Sequence, residues 1–140
     1  MRSATVIASL SVACGCTTLS EPQSAGLFAE ATSLCAILAN AKQYVGKPIL
    51  VRGYLTQNPH RMEFWDNGCE RGFLPVHEVP TARDRGLRSK LGAHMKQSKL
   101  RPPQVPVVFL GTFTDNSPSL VCDGLCSKFT LEGAKLVSVR

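Results

Sequence analysis

The sequence predicts a mainly β domain: a five-stranded Greek-key barrel with a short N-terminal helix and a second helix between its third and fourth strands. Three observations carry this. Apolar and polar residues alternate with period two in several short runs, turn residues punctuate those runs, and a four-residue apolar period appears once between them. A chain of 140 residues fits one domain, and 44% hydrophobic against 19% charged residues allows a packed core. No apolar run approaches the ~20 residues that cross a bilayer as a helix, which excludes a polytopic membrane protein.

Taken in order, Ser33 is placed to cap a short helix carrying Leu34, Ile37 and Leu38. Gly46-Lys47-Pro48 ends it, since glycine accepts a left-handed stop and proline cannot continue a helix. Ile49, Val51, Gly53 and Leu55 alternate with Leu50, Arg52, Tyr54 and Thr56 as a first strand, closed by Asn58-Pro59. Met62 and Phe64 alternate with Arg61, Glu63 and Trp65 as a second, stopped by the turn signal Asp66-Asn67-Gly68. Phe73 to His77 reads as a shorter third strand, which Pro75 confines to an edge or open seam. Pro80-Thr81 opens a helix with a Leu87, Leu91, Met95 stripe. Pro102-Pro103 and Pro106 close that segment. Val107, Phe109, Gly111 and Phe113 form a fourth strand, and Phe129 to Val139 a fifth whose phase slips near Gly133, the mark of a bulge.

The first residues are set apart from this fold. Arg2 is the only charge in the first 20 residues, and an apolar stretch runs from Ala4 to Ala13, the pattern of a secretory signal. Ser11-Val12-Ala13-Cys14-Gly15-Cys16 resembles the lipobox of bacterial lipoproteins, in which a cysteine is lipidated and becomes the first mature residue, although neither cysteine has the usual leucine three residues upstream. A soluble secreted protein cut after a small residue is the alternative. Cysteine parity favours Cys16 over Cys14 as the lipidated residue: it leaves Cys35, Cys69, Cys122 and Cys126, an even set for an oxidising compartment. The expected organisation is a lipoprotein-type signal peptide over 1–15, a flexible tether over 16–31 and a single domain over 32–140. The resemblance implies a periplasm-facing position in the bacterial envelope. The outer membrane is favoured over the inner, because neither cysteine is followed by an aspartate.

Three strands, a helix and two further strands is the element order of the OB-fold. Leu34, Tyr44, Gly46, Lys47, Val51, Arg52 and Gly53 also resemble the helix and first strand of small bacterial secreted or lipid-anchored OB-fold proteins of poorly characterised function. In such a barrel Cys35, Cys69, Cys122 and Cys126 all fall at one end. Of the three connectivities open to four cysteines, Cys35–Cys69 with Cys122–Cys126 is favoured. A zinc site drawing on Cys122, Cys126 and Cys69 is the sharper alternative. Structural zinc commonly takes two close ligand pairs, here there is one, and His60, His77 and His94 are scattered. No metal or cofactor is expected.

Between Thr81 and Arg101 stand seven basic residues, Arg83, Arg85, Arg88, Lys90, Lys96, Lys99 and Arg101, against Asp84 alone. All the excess positive charge of the mature chain lies there. Such a face attracts anionic lipid or lipopolysaccharide, and the tether favours a membrane surface over nucleic acid. A merely solvated helix face is the alternative. OB barrels also bind ligands on strands two and three, where Arg52, Tyr54, Arg61, Trp65 and His77 form a possible stacking face for an oligosaccharide or nucleic acid, unless Trp65 merely packs. The chain contains no Gly-x-Ser-x-Gly, His-Glu-x-x-His or phosphate-loop motif. The expected function is therefore a non-catalytic, lipid-anchored envelope protein that binds or organises an envelope component, its protein partner unspecified; a ligand-binding OB module is the alternative.

Overall fold

The computed structural model describes residues 21–57, 62–69, 74–78, 84–116 and 128–140. The signal expected over 1–15, the candidate lipidation residues Cys14 and Cys16, the cysteines Cys122 and Cys126, and the cations Arg61 and Arg83 lie outside these residues. The described chain is mainly β, with a mixed sheet of six strands and few helices.

The first element corrects an expectation. Helix α1 spans Glu21–Glu30, within the stretch read as a tether. With only Leu27 and Phe28 large and apolar it has little local reason to fold, and its anchors come from far along the chain. The Arg52 guanidinium donates to the Phe28 carbonyl at 3.3 Å. The Arg140 guanidinium lies over the Phe28 ring, 5.4 Å from its centre. A cation at the last carbonyls of a helix also meets the negative end of its dipole.

Strand β1 is the short Thr32–Ser33, and it raises the strand number above the five expected. Helix α2 follows at Leu34–Ala39, capped by Ser33, whose Oγ accepts the Ala36 amide at 3.2 Å. Leu34 and Ile37 are buried, as the spacing predicts. A 3₁₀ turn over Ala41–Gln43 leads to Gly46, whose φ of 76° is the left-handed stop expected there. The Gly46 amide donates to the Phe113 carbonyl at 2.7 Å, and the Phe113 amide to the Lys47 carbonyl at 3.1 Å, so the turn is bonded to a strand far along the chain.

The remaining elements are β2 (Pro48–Gln57), β3 (Met62–Trp65), β4 (Val76–Glu78), α3 (Asp84–Gln97), β5 (Gln104–Asp115) and β6 (Phe129–Val139). Strand β2 is antiparallel to β3 and β5, β5 to β6, and β4 runs parallel to β6. Along one edge β2 meets β1 at Val51 and Arg52 and β3 from Tyr54 onward. The ladders do not close into a barrel: β3 and the segment leading to β4 meet at the isolated bridge Phe64↔Leu74. Pro75, next in the chain, offers no amide for a longer ladder.

Strand β5 begins at Gln104 and takes in Pro106, a residue read above as a stop. Its carbonyl accepts the Arg140 amide at 3.0 Å, so the strand keeps an acceptor where it lacks a donor. The bulge expected near Gly133 is present. The β4–β6 register passes from Glu132 to Ala134, and Gly133 adopts a φ of 61°.

One face of the sheet carries Val51, Leu55, Phe64, Val107, Phe109, Phe113, Leu131 and Leu136, all buried. Phe64 and Phe109 meet edge to face with ring centres 5.2 Å apart. Leu91 and Met95 of α3 are buried and Leu87 packs beside them, as the stripe predicts. On the other face, the row Arg52–Val108–Ser138 lies beside α1, and Val108 and Ser138 are fully buried.

Candidate functional site

Three places hold the residues singled out in the sequence. The first is the junction of α2 with the turn after β3. Cys35 and Cys69 form a disulfide across 34 residues, with their α-carbons 5.6 Å apart, which is the pairing expected. The Asp66 carboxylate organises the junction. Its Oδ1 accepts the Gly68 amide at 3.1 Å and its Oδ2 the Cys35 amide at 3.3 Å, satisfying a donor that the first turn of α2 would otherwise leave open. With its sulfur in this bridge, Cys69 is not a thiolate for zinc. The partners named for such a site, Cys122 and Cys126, are outside the described residues, as is their own expected bridge. Among the described residues no group of three or more His, Cys, Asp or Glu is arranged to hold a metal.

The second place is the outer face of β2 and β3. Tyr54 and Trp65 are register partners, both half-buried, with ring centres 6.0 Å apart and planes tilted by 45°. The Trp65 Nε1–H donates to the hydroxyl of Thr56, itself a buried residue on the same face of β2. The indole is thereby held to β2 over Thr56. Arg52 is turned to the Phe28 carbonyl of α1. His77 is exposed on β4, where it pairs in register with Glu132 of β6. The five residues proposed as one stacking face are thus divided: Tyr54 and Trp65 together, Arg52 exposed and bonded to α1, and His77 on another ladder, while Arg61 lies outside the described residues.

The third place is the outer face of α3 and its exit. At about 100° per residue, Arg85 and Lys96 fall opposite the Leu87, Leu91, Met95 stripe, and both are exposed. Lys90 is half-buried on one flank. Arg88 on the other flank is bonded, its Nη2 reaching the Glu78 Oε2 on β4 at 2.5 Å. This pairing was invisible in sequence, because Glu78 belongs to a strand whose position relative to the helix only the fold defines. Lys99 and Arg101 are exposed in the connection from α3 to β5. From Arg85 to Thr114 the chain contains no acidic residue. A shallow depression of roughly 190 Å³ lies beside this exit, lined by His94, Gln97, Ser98, Gln104, Val105, Pro106 and Arg140. What is concentrated here is charge of one sign on an open surface, suited to contact with an extended polyanion.

No protein-family profile, curated protein or solved structure matches the chain.

Proposed function

We propose that the chain is a non-catalytic, lipid-anchored protein of the bacterial cell envelope, whose domain holds an anionic envelope surface through the outer face of α3. The observation that carries this reading is the division of α3 into two faces. Leu87, Leu91 and Met95 are packed on the core, while Arg85, Lys96, Lys99 and Arg101 are exposed with no acid interleaved. The lipobox-like Cys14-Gly15-Cys16 run and the Cys35–Cys69 bridge agree with export to an oxidising compartment. The outer membrane is the preferred residence, by the same residue pattern that disfavours inner-membrane retention.

The domain is read as OB-like. Counting the five longer strands from β2, the neighbours are first with second, first with fourth and fourth with fifth, all antiparallel, and third with fifth, parallel. The isolated Phe64↔Leu74 bridge links the second to the segment leading into the third. That arrangement supports a partly open Greek-key barrel.

The test uses the oxidised chain with Cys14→Ser and Cys16→Ser, so that no lipid is attached, and vesicles with and without anionic lipid. Binding should be stronger to the anionic vesicles and weaken as salt is added. Arg85→Glu with Lys96→Glu should remove at least about 1 kcal/mol of attraction per residue, while Arg88→Gln should remove less because Glu78 already partners it. Equal binding to anionic and neutral vesicles at low salt would defeat the proposal.

A further inference from the structure

Leu100 is the most exposed large hydrophobic residue among those described, at 54% of its full area. A single exposed leucine is ordinary on a protein surface. This one differs in how its loop is built and in what surrounds it. The Ser98 amide continues the helix by donating to the His94 carbonyl at 2.9 Å. The Ser98 Oγ then accepts the Leu100 amide at 3.3 Å. The Arg101 Nη1 donates to the carbonyls of Ser98 and Leu100, at 2.8 and 2.9 Å. The backbone groups on both sides of the Leu100 side chain are therefore bonded within the loop. Lys99 and Arg101 stand on either side in the chain, exposed, with Lys96 one turn earlier.

We propose that Leu100 is a membrane-inserting tip, lowered into the interface of an anionic leaflet while Lys96, Lys99 and Arg101 engage the lipid phosphates. The proposal rests on the reading of α3 as membrane-facing and adds an apolar contact to it. Two physical requirements meet at this loop. A segment that enters the interface must bring its backbone donors and acceptors already satisfied, because unpaired ones are costly away from water. An apolar side chain beside cations also matches the layering of a bilayer surface, hydrocarbon beneath a plane of negative headgroups. An anionic leaflet is favoured over a protein groove because the flanking charges are all of one sign and extend along the helix.

Leu100→Gln in the lipid-free chain, assayed on vesicles containing anionic phospholipid, should weaken binding roughly tenfold. That loss should persist at high salt, where the contribution of Lys99 is screened. Every variant shares the same N-terminal apolar stretch, so differences between them report the loop. Leu100→Trp in a Trp65→Phe background supplies a direct reading: its indole fluorescence should be quenched by lipids brominated along their acyl chains. If salt-sensitive binding to anionic vesicles is present, yet Leu100→Gln binds as wild type and the indole is not quenched, the tip is overturned and the charged face stands. If the wild-type chain does not prefer anionic vesicles, both readings fall together. Self-association removed by Leu100→Gln, with vesicle binding unaltered, would assign the tip to a second copy of the chain and overturn the proposal as well.

Discussion

Gly53 of β2 lies directly beneath Phe64 of β3: a β-carbon on Gly53 would stand 2.8 Å from the Phe64 Cε2 and 2.7 Å from the Trp65 carbonyl oxygen. Neither neighbour has room to give, since Phe64 is packed edge to face on Phe109 and the Trp65 carbonyl belongs to the backbone. Gly53→Ala should therefore destabilise the domain by about 1–3 kcal/mol, the cost of overpacking a filled core. Urea unfolding followed by circular dichroism reads this directly. A midpoint equal to wild type would show that the strands can part without penalty.

The opposite sign is expected at Gly92. It is exposed within α3, and a β-carbon there meets nothing within 4 Å. Gly92→Ala should stabilise the protein by about 0.5–1 kcal/mol by restricting the unfolded backbone. Thermal melting of the two alanine variants side by side should shift them in opposite directions.

What the sequence revealed and what it hid follow the range of the interactions involved. The first, second and fourth strands were legible because Ile49 to Leu55, Phe64 with Trp65, and Val107 to Phe113 alternate within a few residues, and α3 because its stripe repeats within the helix. Gly133 disclosed its bulge through a local slip in phase. Helix α1 was hidden because Arg52 and Arg140, from distant strands, hold Phe28. Pro106 was misread because proline's missing amide is a local fact, whereas the Arg140 amide that uses its carbonyl comes from the end of β6. In the candidate site the number of cations was legible and their pairing was not. Only the fold, which brings Glu78 of β4 within reach of Arg88, separates that bonded cation from Arg85 and Lys96, which face water.

The Cys35–Cys69 bridge closes a long loop and should contribute about 3–4 kcal/mol by restricting the unfolded chain. Cys35→Ser should lower the urea midpoint correspondingly. It should also loosen α2 from the turn at Asp66, which hydrogen exchange at the Cys35 and Gly68 amides would register. Proteolysis of the oxidised protein should release one peptide pair joined through Cys35 and Cys69. Recovery of both as free thiols from an oxidising compartment would contradict the bridge.

The ion pair between Arg88 and Glu78 is partly exposed, with side-chain accessibilities of 41% and 24%. A pair so open to solvent should couple by less than about 1 kcal/mol in a double-mutant cycle of Arg88→Gln and Glu78→Gln, and the coupling should shrink in salt. Its value lies more in position, since it ties α3 to β4. A coupling energy of several kcal/mol, insensitive to salt, would mean that the pair is much more deeply screened from water than its exposure indicates.

Trp65 separates the two functional readings of the β2–β3 face. As a cover for Thr56, it contributes a hydrogen bond from Nε1 and the partial burial of its ring. Trp65→Phe keeps most of the ring and loses the bond, leaving a buried hydroxyl that must find another partner, so it should cost about 1 kcal/mol. Trp65→Ala removes both and should cost more, about 1–3 kcal/mol for a half-buried ring. A stacking platform behaves differently: the phenylalanine variant would keep much of the affinity for single-stranded nucleic acid or oligosaccharide, while the alanine variant would lose about 1–3 kcal/mol per stacked base. Because the indole is bonded down to the strand beside Tyr54, the expected outcome is a change in stability with no change in polyanion binding once unfolded material is discounted. Loss of polyanion binding in a fully folded Trp65→Ala protein, with Arg85→Glu and Lys96→Glu having no effect, would move the functional surface from α3 to the sheet.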